Sequence, residues 1–353
     1  MFLWEELHAL SRPILLYGMG NGAEKVLELC RRYDVPIAGI FSSDSHAREG
    51  TFQGYPVLSR SRALSEYPDA AVVLAFGTER PEEIEDILAL SRRHFLRIPD
   101  VPLLGGHSLT PEEVANRQTE IQQCRALLGD EPSKALFDAL LDYKLSGDPE
   151  TLMKGTADRS VLLSQLRLHD HEAFLDLGAY RGDTIEEFLS LTGGQYAAIT
   201  ALEPDAHNYK KLQEAWGGRD SITLLPYASW NRAETLTFTG KGGRNCSVIP
   251  ELPGQYRHLH PVKAIPVDTL HLDVSYVKMD VEGAERETLL GMADTIRRCR
   301  PKLLISAYHK PDDFITLPML LQELCPGYRI SLHRTPCIPA WEIQISADYP
   351  VVL

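Results

Sequence analysis

Three things are missing from this 353-residue sequence. It has no dense run of Lys or Arg, and its formal charge is −13. A polynucleotide partner needs a basic stripe to displace counterions, so nucleic acid is not expected. It has no C-x-x-C pair: Cys30, Cys124, Cys246, Cys299, Cys325 and Cys337 are scattered, which removes the usual marks of a zinc site or redox centre and reads as reduced, mostly structural thiols. Finally, no stretch approaches the roughly 20 apolar residues that span a bilayer, and the opening "MFLWEELHALSRP" carries acids where a signal peptide carries its basic region. The expected setting is the cytoplasm, with no membrane partner.

What is present suits a two-domain globular chain. Hydrophobic residues make up 44% and charged residues 24%, ordinary values for a protein with a real core, and the length exceeds one average domain. Residues 1–104 alternate apolar runs ("PILLYG", "VPIAGIF", "AAVVLAF") with helical patterns ("AEKVLELCRRY", "PEEIEDILALSRR"), a βαβ series that predicts a parallel sheet. Residues 105–168 read as a helical connector, opened by "TPEEV" and "PSKAL" and closed by glycines. From 169 to 353 the alternation resumes at "AFLDLGA", "AAITALEP", "SITLLPYAS", "VSYVKMD" and "KLLISAYH", then "YRISLHR" and "WEIQISAD" follow with no helix between them. The expected fold class is α/β, with two doubly wound, Rossmann-like domains joined by a helical segment. A parallel sheet finished by a hairpin marks the methyltransferase variant of that fold.

The chemistry concentrates in "FLDLGAYRGDT", Phe174 to Thr184. In a doubly wound sheet the ligand lies off the carboxyl ends of the strands, and glycines at the first crossing let the backbone turn tightly and approach it. Here the glycines stand among acids, Asp176 and Asp183. Carboxylates would repel a pyrophosphate, which prefers amide donors and positive charge; they suit a cationic ligand. S-adenosylmethionine, with its ammonium and sulfonium, is such a ligand. The next strand ends "ALEPD", placing Glu203 where an acid grips ribose hydroxyls, whereas Asp205 reads as a helix cap.

These segments, with "VDTL", "YVKMDVEGAERETLLG" and "ISAYHKPDD", resemble the FkbM-type S-adenosylmethionine-dependent methyltransferases, in order from about residue 169 to 345. The resemblance implies a class I methyltransferase fold and methyl transfer to a hydroxyl of a sugar or secondary metabolite. It assigns Asp176, Gly178 and Gly182 to the cofactor loop, Glu203 to the ribose, and Asp280 and Glu282 to an acidic motif after the fourth strand. The expected cofactor-binding set is Asp176, Gly178, Ala179, Tyr180, Gly182, Asp183, Thr184, Glu203 and Asp280.

An oxygen nucleophile of high pKa must lose its proton to a side chain or a metal. Asp280 ends one expected strand, Glu282 is expected to start the following helix, and His309 ends the neighbouring strand, which makes Asp280 and His309 the candidate catalytic residues. Asp280, Glu282 and His309 together would suit Mg²⁺ or Mn²⁺, but no dense ligand motif surrounds them and no metal is expected. "KMDVEG" stands where methyltransferases of nucleobase or amide nitrogens often carry an Asn/Asp-Pro-Pro-aromatic run, which favours hydroxyl acceptors. The segment 239–260 reads as a plain loop insertion; the rival reading has Lys241, Arg244 and Arg257 donate to a phosphate or an anionic sugar.

In the first domain, Gly18, Gly20 and Gly22 fit a loose dinucleotide pattern, with Asp44 after the second strand. No hydride-transfer constellation such as Tyr-x-x-x-Lys follows, so a scaffold or a substrate handle ranks above NAD. Two rivals remain from other classes: an NAD-dependent sugar oxidoreductase or epimerase driven by this domain, and a non-catalytic binding protein with a methyltransferase-like fold. The sequence leaves a homo-oligomer open.

Overall fold

A computed structural model describes residues 1–45, 50–104, 107–239, 247–248 and 259–350. By internal contacts the chain forms two compact units: one of Met1–Ile121, Pro132–Asp158 and Arg334–Glu342, the other of Gln122–Glu131, Arg159–His333 and Ile343–Leu353. The residues between 105 and 168 are thus shared between the two units. The helical pattern expected there is present as Pro111–Asn116, Gln118–Leu127 and Glu131–Ser146.

The first unit is built on strands β1 (Ile14–Tyr17), β2 (Gly39–Ser42), β3 (Thr51–Phe52), β4 (Tyr55–Ser59), β5 (Ala71–Leu74) and β6 (Leu96–Arg97), in the order β3-β4-β2-β1-β5-β6. All pairings are parallel except β3 with β4. Every residue of β1, β2 and β5 is buried, which explains why those segments read as unbroken apolar runs: both faces of a parallel sheet are covered. The short β3–β4 hairpin turns at Gln53 and Gly54, both with positive φ. The segment 334–342 is tied into this unit. Thr78 and Ile338 exchange backbone hydrogen bonds, and the buried Arg334 donates to the carbonyls of Leu152, Cys337 and Pro339.

The second unit holds a seven-stranded sheet of β7 (Ala173–Leu177), β8 (Ala198–Leu202), β9 (Ile222–Leu225), β14 (Tyr276–Met279), β15 (Lys302–Ser306), β16 (Arg329–Arg334) and β17 (Ile343–Asp348). A four-stranded sheet, β10 (Ala228–Ser229), β11 (Glu234–Thr239), β12 (Ser247–Val248) and β13 (Leu259–Ile265), lies between them in sequence. The larger sheet runs β16-β17-β15-β14-β7-β8-β9. Its central strands are parallel and β17 is antiparallel to β15. The chain leaves β7 in one direction through β8 and β9, then returns to build outward on the other side through β14 and β15. The strand order therefore reverses between β7 and β14, and a doubly wound sheet binds its ligand off the carboxyl ends at such a point.

The β10–β13 sheet was not expected from the sequence; the loop expected over 239–260 overlaps it only at Thr239, β12 and the start of β13. Lys241, Arg244 and Arg257 lie outside the described residues. Among the described residues no helix is long and apolar enough to cross a membrane.

Candidate active site

The carboxyl ends of β7, β8, β14 and β15 carry the residues that the sequence singled out. Asp176 is the fourth residue of β7 and is fully buried. It lies in register with Lys278 of β14, whose ammonium stands 3.7 Å from Asp176 Oδ1. The Thr184 hydroxyl donates to Asp176 Oδ2. Burial works against the charge of Lys278, yet Asp176, Asp280 and Asp183 more than offset it and hold its pKa above the ordinary lysine value. Lys278 also donates to the Gly178 carbonyl at 3.1 Å, so the buried pair fixes the start of the loop that follows β7.

That loop is docked on the tip of β8. The amides of Gly178 and Ala179 both donate to the Leu202 carbonyl at 3.0 Å. Tyr180 N–H donates to Glu203 Oε2 at 2.8 Å, and Asp205 N–H to Glu203 Oε1 at 2.9 Å. Gly178 has φ +80°, and a Cβ there would lie 1.9 Å from the Asp280 carbonyl oxygen. At Gly182, with φ +93°, a Cβ would lie 2.2 Å from Trp216 Nε1. Both positions exclude side chains sterically as well as by dihedral. Asp183 and Thr184 open the helix Asp183–Leu191, where an acid complements the helix dipole. Asp205 Oδ1 caps the helix Ala206–Trp216 through the amides of His207 and Asn208, as its position predicts. Burial pushes the Glu203 carboxyl up to about 7, against the two amides that favour its charge.

The second cluster lies at the ends of β14 and β15. His309 is 2% exposed, and its Nδ1 pairs with Glu285 Oε1 at 2.8 Å. Its Nε2 stands 3.5 Å from Asp280 Oδ1 and 3.4 Å from Glu282 Oε2. The structure thus brings Asp280, Glu282 and His309 together. Glu282 does not start a helix, however: it sits in a left-handed turn with φ 53°, ahead of the helix Glu285–Leu290. That conformation, followed by Gly283 at φ 88°, turns the chain sharply after β14. Glu285 Oε1 also accepts from Val281 N–H at 3.1 Å, locking the turn. Burial opposes protonation of His309, but Glu285, Asp280 and Glu282 together raise its pKa to about 10. Burial raises Glu282 to about 8, with His309 opposing, and burial raises Asp313 to about 7.

Three members of the site were not identified from sequence: Lys278, Glu285 and Asp313. Glu285 and Lys278 are almost fully buried, and nothing in "YVKMDVEGAERE" distinguishes the buried charges from the exposed ones.

In the first unit the glycine pattern has a packing explanation. A Cβ on Gly22 would lie 2.5 Å from the Ala75 carbonyl oxygen, so this glycine admits the close approach of the helix Asn21–Arg32 to the end of β5. Gly20, with φ +114°, caps that helix, and Gly18 has φ +129°. Asp44 accepts from the backbone and hydroxyl of Ser61.

Comparison with known proteins bears on the fold. The methyltransferase FkbM from Methylobacillus flagellatus KT superposes with a TM-score of 0.70 at 18% identity, over 98% of this chain and 92% of that one. That likeness shows a shared fold. Weaker matches include a precorrin-6y C5,15-methyltransferase from Geobacter metallireducens GS-15, with a TM-score of 0.34 at 16% identity over 55% of this chain and 93% of the other. Fibrillarin from Aeropyrum pernix gives 0.35 at 14% identity, over 53% and 74%. No curated protein matches the chain. Residues 176–330 match the family model of the methyltransferase FkbM domain, and the stretch from Asp176 to Ile330 spans every residue of the two clusters described above.

Proposed function

We propose that the unit containing residues 159–333 is an S-adenosylmethionine-dependent methyltransferase acting on a hydroxyl of a sugar or small secondary metabolite. The observation that carries this reading is the cradle of Gly178–Tyr180 against Glu203. Its backbone lies too close to Asp280 for any side chain at Gly178. Each oxygen of Glu203 holds one amide, and a carboxylate with about four lone-pair sites keeps room for two further donors. A ribose diol supplies such a pair. Asp176, Asp183, Glu203, Asp280 and Glu282 make the surroundings acidic, which favours a ligand bearing a sulfonium and an ammonium and disfavours a dinucleotide phosphate. The match to the methyltransferase FkbM domain supports the same conclusion.

The cofactor would supply an electrophilic methyl group; the chain must align the acceptor and remove its proton. Alignment provides most of the rate in such a displacement. Asp280, 31% exposed at the strand end, is the carboxylate placed to take the proton. His309, whose pKa its three carboxylates raise to about 10 against burial, lies 3.5 Å from Asp280 and 3.4 Å from Glu282 through Nε2, and it acts as a base only after losing its proton. The turn Asp280–Gly283 in place of an Asn/Asp-Pro-Pro-aromatic segment supports an oxygen rather than a planar nitrogen acceptor.

Calorimetric titration of S-adenosylhomocysteine, with NAD as control, tests the assignment. Binding of the former is expected, weakened about tenfold or more by Asp176→Ala, a loss of about 1.4 kcal/mol. Binding of NAD alone would move the activity to the first unit. With the cofactor fixed, transfer of labelled methyl to a panel of sugars tests the acceptor class, and labelling of nitrogen acceptors only would overturn it.

A further inference from the structure

The first unit has a helix end that packing explains only in part. The 12-residue helix Asn21–Arg32 begins at Gly20, and no side chain caps it. The first amides of a helix have no partner within the helix. Here they follow a turn whose residues Met19, Gly20, Asn21 and Gly22 are exposed, and a Cβ on Gly20 would meet nothing within 4 Å. The helix starts where the sheet changes direction. β1 has β2 on one side and β5 on the other, and Gly22 sets the helix against the Ala75 carbonyl just past β5. A doubly wound sheet takes its ligand off the carboxyl ends of its strands at such a point.

A second observation comes from β2. Ser42, the last residue of that strand, is 6% exposed, and its hydroxyl has no hydrogen-bond partner among the described residues. Side chains alternate along a strand. Phe41 stacks on Tyr17 on one face of the sheet, whereas Ile40 shares a core cluster with Leu16 and with Ala23, Val26 and Leu27 of the helix. Ser42 therefore turns to the face of the helix, like Ile40. The Phe41 carbonyl accepts from Gly18 N–H at 2.9 Å, so Ser42 stands beside the start of the glycine turn. A buried hydroxyl without a partner is costly, and an acceptor bound at the helix end would satisfy it.

The groups that converge are donors, amides and a hydroxyl, at the positive end of a helix dipole, and they suit an oxyanion. The acids close by are engaged. Glu24 accepts from Gln53 at 3.0 Å. Asp44, placed where a dinucleotide site grips ribose, accepts from the Ser61 amide and hydroxyl at 3.0 and 2.6 Å. Contacts for a phosphate are thus free while the contact for a ribose is already used. We propose that the turn Gly18–Asn21 and Ser42 bind the phosphate group of a small phosphorylated ligand other than a dinucleotide. The site belongs to the first unit and does not depend on the methyl-transfer reading.

The test titrates inorganic phosphate, pyrophosphate and NAD calorimetrically into the full chain in a phosphate-free buffer. One phosphate or pyrophosphate per chain is expected. Asn21→Asp should weaken it about tenfold, because a carboxylate in the first turn opposes the anion while favouring the helix. Ser42→Ala should also weaken it without lowering the urea midpoint, since only an unpaired hydroxyl is lost. Saturating S-adenosylhomocysteine should leave the phosphate affinity unchanged. Absence of phosphate and pyrophosphate binding, affinity equal to wild type in both variants, or displacement by S-adenosylhomocysteine would each overturn the site. NAD binding about tenfold tighter than pyrophosphate would overturn the assigned ligand class in favour of a dinucleotide.

Discussion

Replacing Glu203 is the sharpest test of the cofactor cradle. Its two oxygens already accept from Tyr180 and Asp205 at 2.8 and 2.9 Å, so a bound diol must share a carboxylate that is held rigidly and almost buried. Hydrogen bonds to a charged group contribute about 1.5–3 kcal/mol each. Loss of one in Glu203→Gln, which keeps a single acceptor oxygen, should weaken S-adenosylhomocysteine about tenfold. Loss of both in Glu203→Ala should cost about 3 kcal/mol or more, on the order of 150-fold. A pH signature accompanies these losses. Because burial raises this carboxyl to about 7, the free protein holds it largely protonated at pH 6 and ionised at pH 8. If the diol needs the ionised form, affinity should rise about tenfold across that interval, and Glu203→Gln should abolish the rise. The sign for ligand-free stability is opposite. The folded chain keeps a proton that the unfolded chain releases near 4.5, so this group's contribution is full below 4.5 and is lost as pH rises to about 7. Calorimetry at pH 6, 7 and 8 measures the binding terms and urea denaturation the stability term. Equal affinity of wild type and Glu203→Ala, or a flat wild-type profile, would refute the assignment of this carboxylate to the ligand.

Two further substitutions bear on the scaffold of the site. Gly178→Ala should lower unfolding free energy by about 2 kcal/mol or more, since the positive φ and the Asp280 carbonyl at 1.9 Å both oppose a Cβ; a urea midpoint equal to wild type would show that the loop relaxes freely. Lys278→Met should cost about 3–5 kcal/mol by stranding Asp176 in a buried site, and Asp176→Asn in the same chain should restore part of the loss. Additive losses in the double variant, read from denaturation, would mean that the two groups are not coupled.

The strands of the second unit and the approach of Asp280 to His309 were legible because the signals are local. An apolar run ending in glycine or acid marks a strand tip, and consecutive parallel strands put those tips together. The β10–β13 sheet was not legible. β11 and β13 pair residue for residue from Glu234 with Ala264 to Thr239 with Leu259, but a long polar stretch separates them and hides the alternation. Glu285 escaped for another reason: its helix spans only Glu285–Leu290, too short for a period to reveal which of several neighbouring charges turns inward. In the first unit, glycines that suggest a phosphate loop also serve packing, as Gly22 against Ala75 shows. A residue pattern cannot separate the two uses when the backbone requirement is the same.

The division of the chain has a practical consequence. Each compact unit is made from three separate stretches, so no single cut in the gene yields either one whole. A fragment beginning at residue 159 would retain the seven-stranded sheet but carry 334–342 with its own partners deleted. Ile338 would lose the backbone pairing with Thr78, Arg334 its bond to Leu152, and Trp341 the space beside Gly77 that the missing Cβ leaves open. The fragment would thus expose a buried arginine, an isoleucine and an indole on one hairpin, a sticky tip that favours aggregation. Attempts to isolate the second unit by truncation should replace that hairpin tip with a short polar turn, leaving β16 and β17 intact.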